Sequence, residues 1–421
     1  VSTLHPQRVA HIVRKWNPLE WGGTETYVAS VTTALRRERW QSEVHAPSCE
    51  ADARASGLDP SVALRRFTAL NPYIASSERR AGLLAVGGNL VTLDEPLRLL
   101  RDDALSIAHL HTAGRIGGAV RFAMRVSQRP YVLSVHGPLL SDPALVAHEA
   151  ERRRGRAIDV GAPVGALFGA RRVLDDAAAI LCFNEAERRA LEARFGERVL
   201  RMDHGVDAAR YAAGDARLAD ARWPQLRGKR VLLSLGRISR QKNQRFAVEA
   251  LAASARRDAV LALAGAETDP GYLDETLALA ARLGLADRVF ALGNVPRDEV
   301  VDLLARADAM LVPSTHEAFG LVVLEGWAAR RPVLFADSVG LKELADPLVD
   351  RAVCLRAGAA SDWGAAIERL LSDPERARAW AEEGRALCER RFSWDAVAST
   401  LASVYQRAIE RGAKRQGRRA A

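Results

Sequence analysis

Three short runs carry residue types suited to an anionic, hydroxyl-rich ligand. In the first, from Ser314 to Glu325, an apolar strand ends near Val312 and Pro313 and Glu317 sits in the following loop. A helix then begins near Gly320 and runs to about Ala329. Two glutamates at this spacing on one helix would lie about 80° apart around its axis. Because Glu317 precedes the helix, it can meet a ligand from the loop while Glu325 lies one to two turns along. Between them, the amides of the first helical turn lack intrahelical partners and carry partial positive charge. Gly320 lets a ligand approach the backbone. The run reads as a cradle for a diphosphate, with carboxylates that accept sugar and ribose hydroxyls. Taken alone, it reads equally well as an acidic first turn on a buried amphipathic helix.

The second run favours the functional reading. A strand over 231–234 leads into Gly236, then Arg237, Lys242 and Asn243, and then a helix start. In a doubly wound sheet, ligands bind at the carboxyl ends of the strands. Two cations leaving such an end suit a diphosphate leaving group, and they recur at the edge where the first run emerges. The third run, Gly22, Gly23, Thr24 and Glu25, follows the first strand. A Gly-Gly turn opening a helix admits a phosphate, so Gly22 and Gly23 are candidate donor contacts, and the turn with Glu25 faces the acceptor side. The pattern is not Gly-x-Gly-x-x-Gly, and no acidic residue ends the second strand, which argues against a dinucleotide site.

Histidines cluster at strand ends. His136 closes a strand ahead of Gly137 and is expected in the catalytic cleft, near a transferred sugar. His109 and His111 end the preceding strand, and read equally as acceptor-side groups or as hydrogen-bonded core. His204 belongs to the turn with Gly205, Val206 and Asp207, while His5, His11, His45, His148 and His316 read as structural. No histidine–carboxylate set has metal-ligand spacing. No Asp-x-Asp occurs either, so no metal is expected.

The elements that position these residues alternate in two blocks. Short apolar strands are expected at 9–13, 42–45, 107–110, 131–135, 179–183 and 199–202, and again at 231–234, 260–264, 289–292, 309–312 and 333–336. Amphipathic helices fall between them, as at 244–253, 272–283 and 298–305. Buried parallel strands read this way. The pattern predicts an α/β protein with two Rossmann-like doubly wound domains facing across a cleft. The first covers 1–207, a polar linker 208–229, and the second 230–392. Two helices close the chain, 374–389 and 393–410, and the region 393–421 is expected to pack back on the first domain.

Composition sets the class. The chain has 421 residues, 48% of them hydrophobic, enough for two cored domains without staples. Cys49, Cys182, Cys354 and Cys388 stand far apart, which excludes a zinc knuckle or a Cys-x-x-Cys redox pair and fits a cytoplasmic protein. No secretory signal or bilayer-length apolar run is visible. The net charge of +9 gathers at Arg152, Arg153, Arg154 and Arg156, and at Arg411, Lys414, Arg415, Arg418 and Arg419. These clusters read as solvated arginine, or as peripheral contact with an anionic inner-membrane face. Without interleaved aromatics or a reader motif they do not suggest nucleic-acid binding.

Taken together, the Gly22–Glu25 turn, His136, the His204–Asp207 turn, the Gly236–Asn243 segment, the Glu317–Glu325 run and the closing Phe392 and Trp394 resemble the retaining nucleotide-sugar glycosyltransferases of family 4, of GT-B architecture and glycosyl transferases group 1. The resemblance spans essentially the whole chain. It implies a nucleotide-diphosphate-sugar donor on the second domain and a glycan, lipid-linked or small-molecule acceptor on the first, as in cell-surface glycan or glycolipid synthesis. Arg237 and Lys242 would bind the donor diphosphate, Glu317 the sugar and Glu325 the ribose. The backbone at Phe319, Gly320, Leu321 and Val322 would meet phosphate and sugar, and Gly236, Asn294 and Val295 would complete the donor site. No metal or other cofactor is implied. Two departures stand out: His204 replaces the asparagine often found in its turn, and the segment after Leu263 lacks a second glycine. A nucleotide-sugar 2-epimerase and a non-catalytic binding protein share this architecture. The Gly22–Glu25 turn and the Glu317–Glu325 run favour transfer over epimerisation. The retention of Arg237, Lys242, Glu317 and Glu325 together argues against a silent site.

Overall fold

The computed structural model describes residues 6–17, 22–48, 57–74, 90–137, 139, 158–348, 353–356 and 358–420. His5, Glu20, Trp21, Cys49, His148, and the arginine cluster Arg152, Arg153, Arg154 and Arg156 lie outside these residues. Two compact units are present, Val1–Gly205 with Trp394–Ala421, and Val206–Ser393.

The strands, in chain order, are β1 Gln7–Ile12, β2 Trp40–Pro47, β3 Ala63–Phe67, β4 Tyr73–Ile74, β5 Leu105–Leu110, β6 Tyr131–Val135, β7 Ile158–Asp159, β8 Ala179–Cys182 and β9 Val199–Arg201 in the first unit. The second unit holds β10 Arg230–Leu235, β11 Ala259–Ala264, β12 Val289–Gly293, β13 Ala309–Val312, β14 Val333–Ala336 and β15 Cys354–Leu355.

The first unit carries a seven-stranded sheet, ordered β3-β2-β1-β5-β6-β8-β9, and every pair in it is parallel. From β1 the chain builds outward to β3, then returns to add β5 on the other side of β1. That reversal opens a crevice at the carboxyl ends of β1 and β5, where ligands of such sheets bind. The second unit repeats the plan with β12-β11-β10-β13-β14-β15, again all parallel, and its reversal lies between β10 and β13. The central strands of the second sheet are covered on two faces and are continuous apolar runs. Every residue of β11, β13 and β14 is buried.

Four short strands escape the sequence reading: β3, β15, and the two-residue β4 and β7, which pair antiparallel with each other. β3 carries Arg65 and Arg66 on an edge, and β15 has only two residues, so neither shows the apolar run of a central strand. The segment 208–229, expected as a polar linker, is a correction. It folds into helices Ala208–Ala212 and Ala216–Arg222 and a 310 turn Pro224–Leu226, and it belongs to the second unit. Tyr211, Ala219, Trp223 and Leu226 are buried there. Four buried apolar residues at irregular spacing anchor the segment without producing a periodic signal. The closing helix is longer than expected, Trp394–Ala420, and packs on the Gly23–Ala34 helix, β5 and β6 of the first unit. It carries Arg411 and Lys414. Among the described residues, no helix is long and apolar enough to cross a membrane.

One face of the first sheet encloses charge rather than avoiding it. His45 on β2 places Nδ1 2.5 Å from Glu95 Oε1 and Nε2 3.5 Å from Glu43 Oε2. Glu43 also accepts from Arg8 at 2.8 Å and from Arg65 at 3.2 Å. Burial alone would lower the His45 pKa, but its bonds to Glu43 and Glu95 outweigh burial and raise it above 6.5. The stability His45 supplies is therefore complete below its unfolded value and is lost as pH climbs through the raised folded value. Thermal unfolding of wild type and His45→Gln from pH 6 to pH 9 checks this. The wild-type advantage is expected to be largest at pH 6 and to shrink steadily with rising pH; a constant gap would contradict the assignment.

Candidate functional site

In the second unit, the loops leaving β10 and β13 are tied together by backbone. Gly236 leaves β10 with a φ of 132°, a region that favours glycine. The backbone passes so close to Gly265 that a Cβ there would sit 2.0 Å from the Gly236 carbonyl oxygen. The chain then turns through Arg237 to Asn243, itself left-handed at φ 57°, before the Gln244–Ala253 helix. From β13, the Thr315 amide donates to Gln241 O at 2.9 Å, and Gln241 Nε2 donates back to His316 O at 3.0 Å. The Glu317 amide donates to Val339 O at 2.9 Å, which pins the loop to the segment after β14. Gly340, at φ 82°, lets that segment pass: a Cβ would meet Glu317 O at 2.0 Å.

This lacing brings Lys242 and Glu317 into an ion pair, Nζ to Oε1, with side chains 16% and 11% exposed. The two residues come from different loops and meet at the carboxyl ends of β10 and β13, the topological switch point of this unit. Arg237 is exposed and donates to Gln241 Oε1 at 3.0 Å. Gly320 caps the Leu321–Ala328 helix at φ 93°. Leu341 and Leu344 press against it closely enough that a Cβ would reach Leu341 Cδ2 at 2.5 Å. Phe319 and Val322 are buried, and Phe319 packs edge-on against Phe392 at 5.7 Å between ring centroids. Those two side chains are therefore structural, and only their backbone can serve a ligand. Asn294 and Val295 lie just past β12, Asn294 exposed and Val295 half-buried.

Glu325 has a partner the sequence did not reveal. Tyr211 OH, from the segment expected as linker, donates to its Oε1 at 2.7 Å. Burial raises the Glu325 pKa, and the Tyr211 bond opposes the rise. The only sequence signal for Tyr211 was an aromatic residue in an otherwise small and polar stretch.

In the first unit, the Gly22–Glu25 turn opens the Gly23–Ala34 helix as expected, but the role of Glu25 changes. It is buried, and its Oε2 accepts from the Gly22 amide at 3.0 Å, capping the helix. Its carboxylate serves the backbone rather than an acceptor; a glutamate three residues past a cap position is the sequence signal for this. For His109 the structure favours the second of its two readings. It is fully buried, with Nδ1 2.6 Å from Tyr405 OH and Nε2 2.8 Å from Ser134 Oγ, so both ring nitrogens are used inside the core. His111 is buried as well, between His11 and His136. His136 is the half-buried member, at the end of β6, with its ring stacked on Phe183.

His11, His109 and His111 bring ring nitrogens within 4.8 Å of one another. Tyr405 and Ser134 already engage His109, and no carboxylate belongs to the set. A dication there would be a buried, uncompensated charge.

Family models match both halves of the chain. Residues 219–387 match glycosyl transferases group 1, and residues 22–202 match the glycosyl transferase 4-like domain. The D-inositol 3-phosphate glycosyltransferase of Gordonia bronchialis is 27% identical over 431 residues, covering 97% of this chain and 90% of the relative. D-inositol 3-phosphate glycosyltransferase 2 of Catenulispora acidiphila is 29% identical over 428 residues, covering 96% of each. Among solved structures, Anabaena HepE in complex with UDP and glucose superposes with a TM-score of 0.71 at 19% identity, over 95% of this chain and 99% of that one. The sucrose-phosphate synthase of Thermosynechococcus elongatus gives 0.70 at 20% identity, over 96% and 99%. At these identities the two structures establish the shared fold.

The Tyr211–Glu325 bond is open to direct test. Tyr211→Phe keeps the ring and removes the donor, leaving a half-buried carboxylate one bond short. The expected cost is about 1–3 kcal/mol of stability, read as a lower denaturant midpoint for the second unit. An unchanged midpoint would show that water replaces the phenol at no cost.

Proposed function

This chain belongs to the group 1 glycosyltransferases, of GT-B fold, and we propose that its second unit holds a nucleoside diphosphate sugar from which the sugar passes, with retention of configuration, to a hydroxyl acceptor. The observation that carries this reading is the Lys242–Glu317 ion pair at the switch point of the second sheet, beside the N-terminus of the Leu321–Ala328 helix. An ammonium, a guanidinium from Arg237 and the positive end of a helix are the groups a departing diphosphate needs. Glu317 and Glu325 are the acceptors that sugar and ribose hydroxyls need.

In the transfer, the bond between the anomeric carbon and the diphosphate oxygen breaks, and its electron pair leaves with the diphosphate. Lys242 and Arg237 offset the growing negative charge in a partly desolvated site, where such groups are worth more than in water. Glu317 holds the sugar by its hydroxyls as positive charge develops on the ring. The acceptor oxygen attacks the same face, and its proton passes to the departing phosphate oxygen, so the chain needs no nucleophile of its own and no metal to carry the leaving-group charge.

The relatives' names make D-inositol 3-phosphate the first acceptor to test, ahead of glycan and lipid-linked hydroxyls. Transfer is assayed by product formation from UDP-, GDP- and ADP-sugars. With the active donor, Lys242→Ala and Glu317→Ala are each expected to lower turnover by roughly a hundredfold or more. Circular dichroism is expected to show an intact fold in both. Wild-type-like turnover in either variant would overturn the donor-site assignment. Turnover is also expected to survive EDTA, and its loss with recovery on adding a divalent cation would contradict charge stabilisation by Lys242 and Arg237 alone.

A further inference from the structure

Three histidines of the first unit form a line from the core to the end of β6. His11 Nδ1 lies 3.1 Å from His111 Nε2, and His111 Nδ1 lies 2.8 Å from His136 Nε2. Burial pushes His11 and His136 down to about 3 and His111 well below the ordinary imidazole value, so all three rings are neutral at pH 7. A neutral imidazole has one N–H and one bare nitrogen. The central ring, His111, must therefore donate through one nitrogen and accept through the other, and the two contacts must run in the same direction.

Two directions are possible, and the inner end distinguishes them. His11 Nε2 is buried and, among the described residues, has no hydrogen-bond partner. If the line ran inward, from His136 to His11, this atom would be a buried N–H with nothing to receive it, a rare arrangement in folded proteins. If the line runs outward, His11 donates through Nδ1, His111 donates through Nδ1 to His136 Nε2, and the atom left over in the core is a bare ring nitrogen. The unpartnered group is then a weak acceptor in place of a strong donor.

We infer that His11 and His111 act as positioning residues that lock His136 in its Nδ1–H tautomer, so that His136 presents a hydrogen-bond donor at the end of β6 and has no bare nitrogen there to act as a base. The use of that donor toward a sugar or acceptor oxygen rests on the transfer reading above; the tautomer itself does not. The surroundings support a fixed ring. Phe183 stacks on His136 at 5.0 Å and Tyr27 meets it edge-on at 5.4 Å, which holds the imidazole plane. His109 leaves the line undisturbed, because its nitrogens are engaged by Tyr405 and Ser134.

Nitrogen-15 spectra of the full-length protein, labelled at histidine and assigned with His136→Gln, decide the matter. The expected spectrum shows Nδ1 protonated and Nε2 bare at both His111 and His136, the reverse of the form that free neutral imidazole side chains prefer. Protonation at Nε2 of His136, or at both nitrogens, would overturn the inference. In His111→Phe the His136 ring is expected to return to the Nε2–H form, and an unchanged tautomer would show that the line does not set it. The wild-type spectrum stands whether or not that variant folds, and it holds even if no sugar donor is found. With an active donor, His111→Phe is expected to lower kcat roughly tenfold while nucleotide affinity stays within about twofold; equal loss of both would indicate a merely structural role.

Discussion

The ion pair between Lys242 and Glu317 is the contact on which the second unit's arrangement depends. It joins loops that are far apart in sequence and makes sense only because β10 and β13 are parallel neighbours that end on the same edge. The glycines around it serve this meeting. Gly236 and Gly265 let two strand exits touch, and Gly340 lets the segment after β14 pass beneath the Glu317 carbonyl. A Cβ at Gly265 or Gly340 would meet a backbone carbonyl oxygen at 2.0 Å, so neither close approach admits a side chain. The pair is also a holding arrangement. Each side chain is the natural counter-charge for the other, which holds both in place.

The first unit solves a different problem with the same topology. Its switch point lies between β1 and β5, and neutral imidazoles fill that region in place of fixed charges. Burial keeps them uncharged, so they can donate and accept hydrogen bonds without creating a field. A sugar hydroxyl is neutral and is recognised by direction more than by charge. The two units thus differ in electrostatics: a charged pair marks the switch point of the second, and neutral, hydrogen-bonded imidazoles that of the first.

Much of this was legible in the sequence. The central strands appear as short apolar runs because they are buried on both faces, and their ends are marked by Gly, Pro, Asp or His. The family resemblance rests on the same residues, since Arg237, Lys242, Glu317 and Glu325 are polar groups placed where apolar strands stop. What escaped was set by partners distant in sequence. Tyr211 is unremarkable until it donates to Glu325. His109 looks like a strand-end histidine until Tyr405, nearly three hundred residues on, closes over it. Glu25 was assigned outward because a carboxylate beside a glycine turn suggests a ligand, whereas the unpaired amide at Gly22 claims it first. In each case the deciding partner is invisible to local type and spacing.

On the proposed reading, Lys242 leaves Glu317 to meet the donor diphosphate. Calorimetric titration of UDP, GDP and ADP into wild type, Glu317→Gln and Lys242→Met tests it most directly. Removing the carboxylate charge frees Lys242, so Glu317→Gln should bind the preferred nucleoside diphosphate at least as tightly as wild type, while Lys242→Met binds it far more weakly. Equal weakening in both variants, or no binding of any of the three to wild type, would contradict the account.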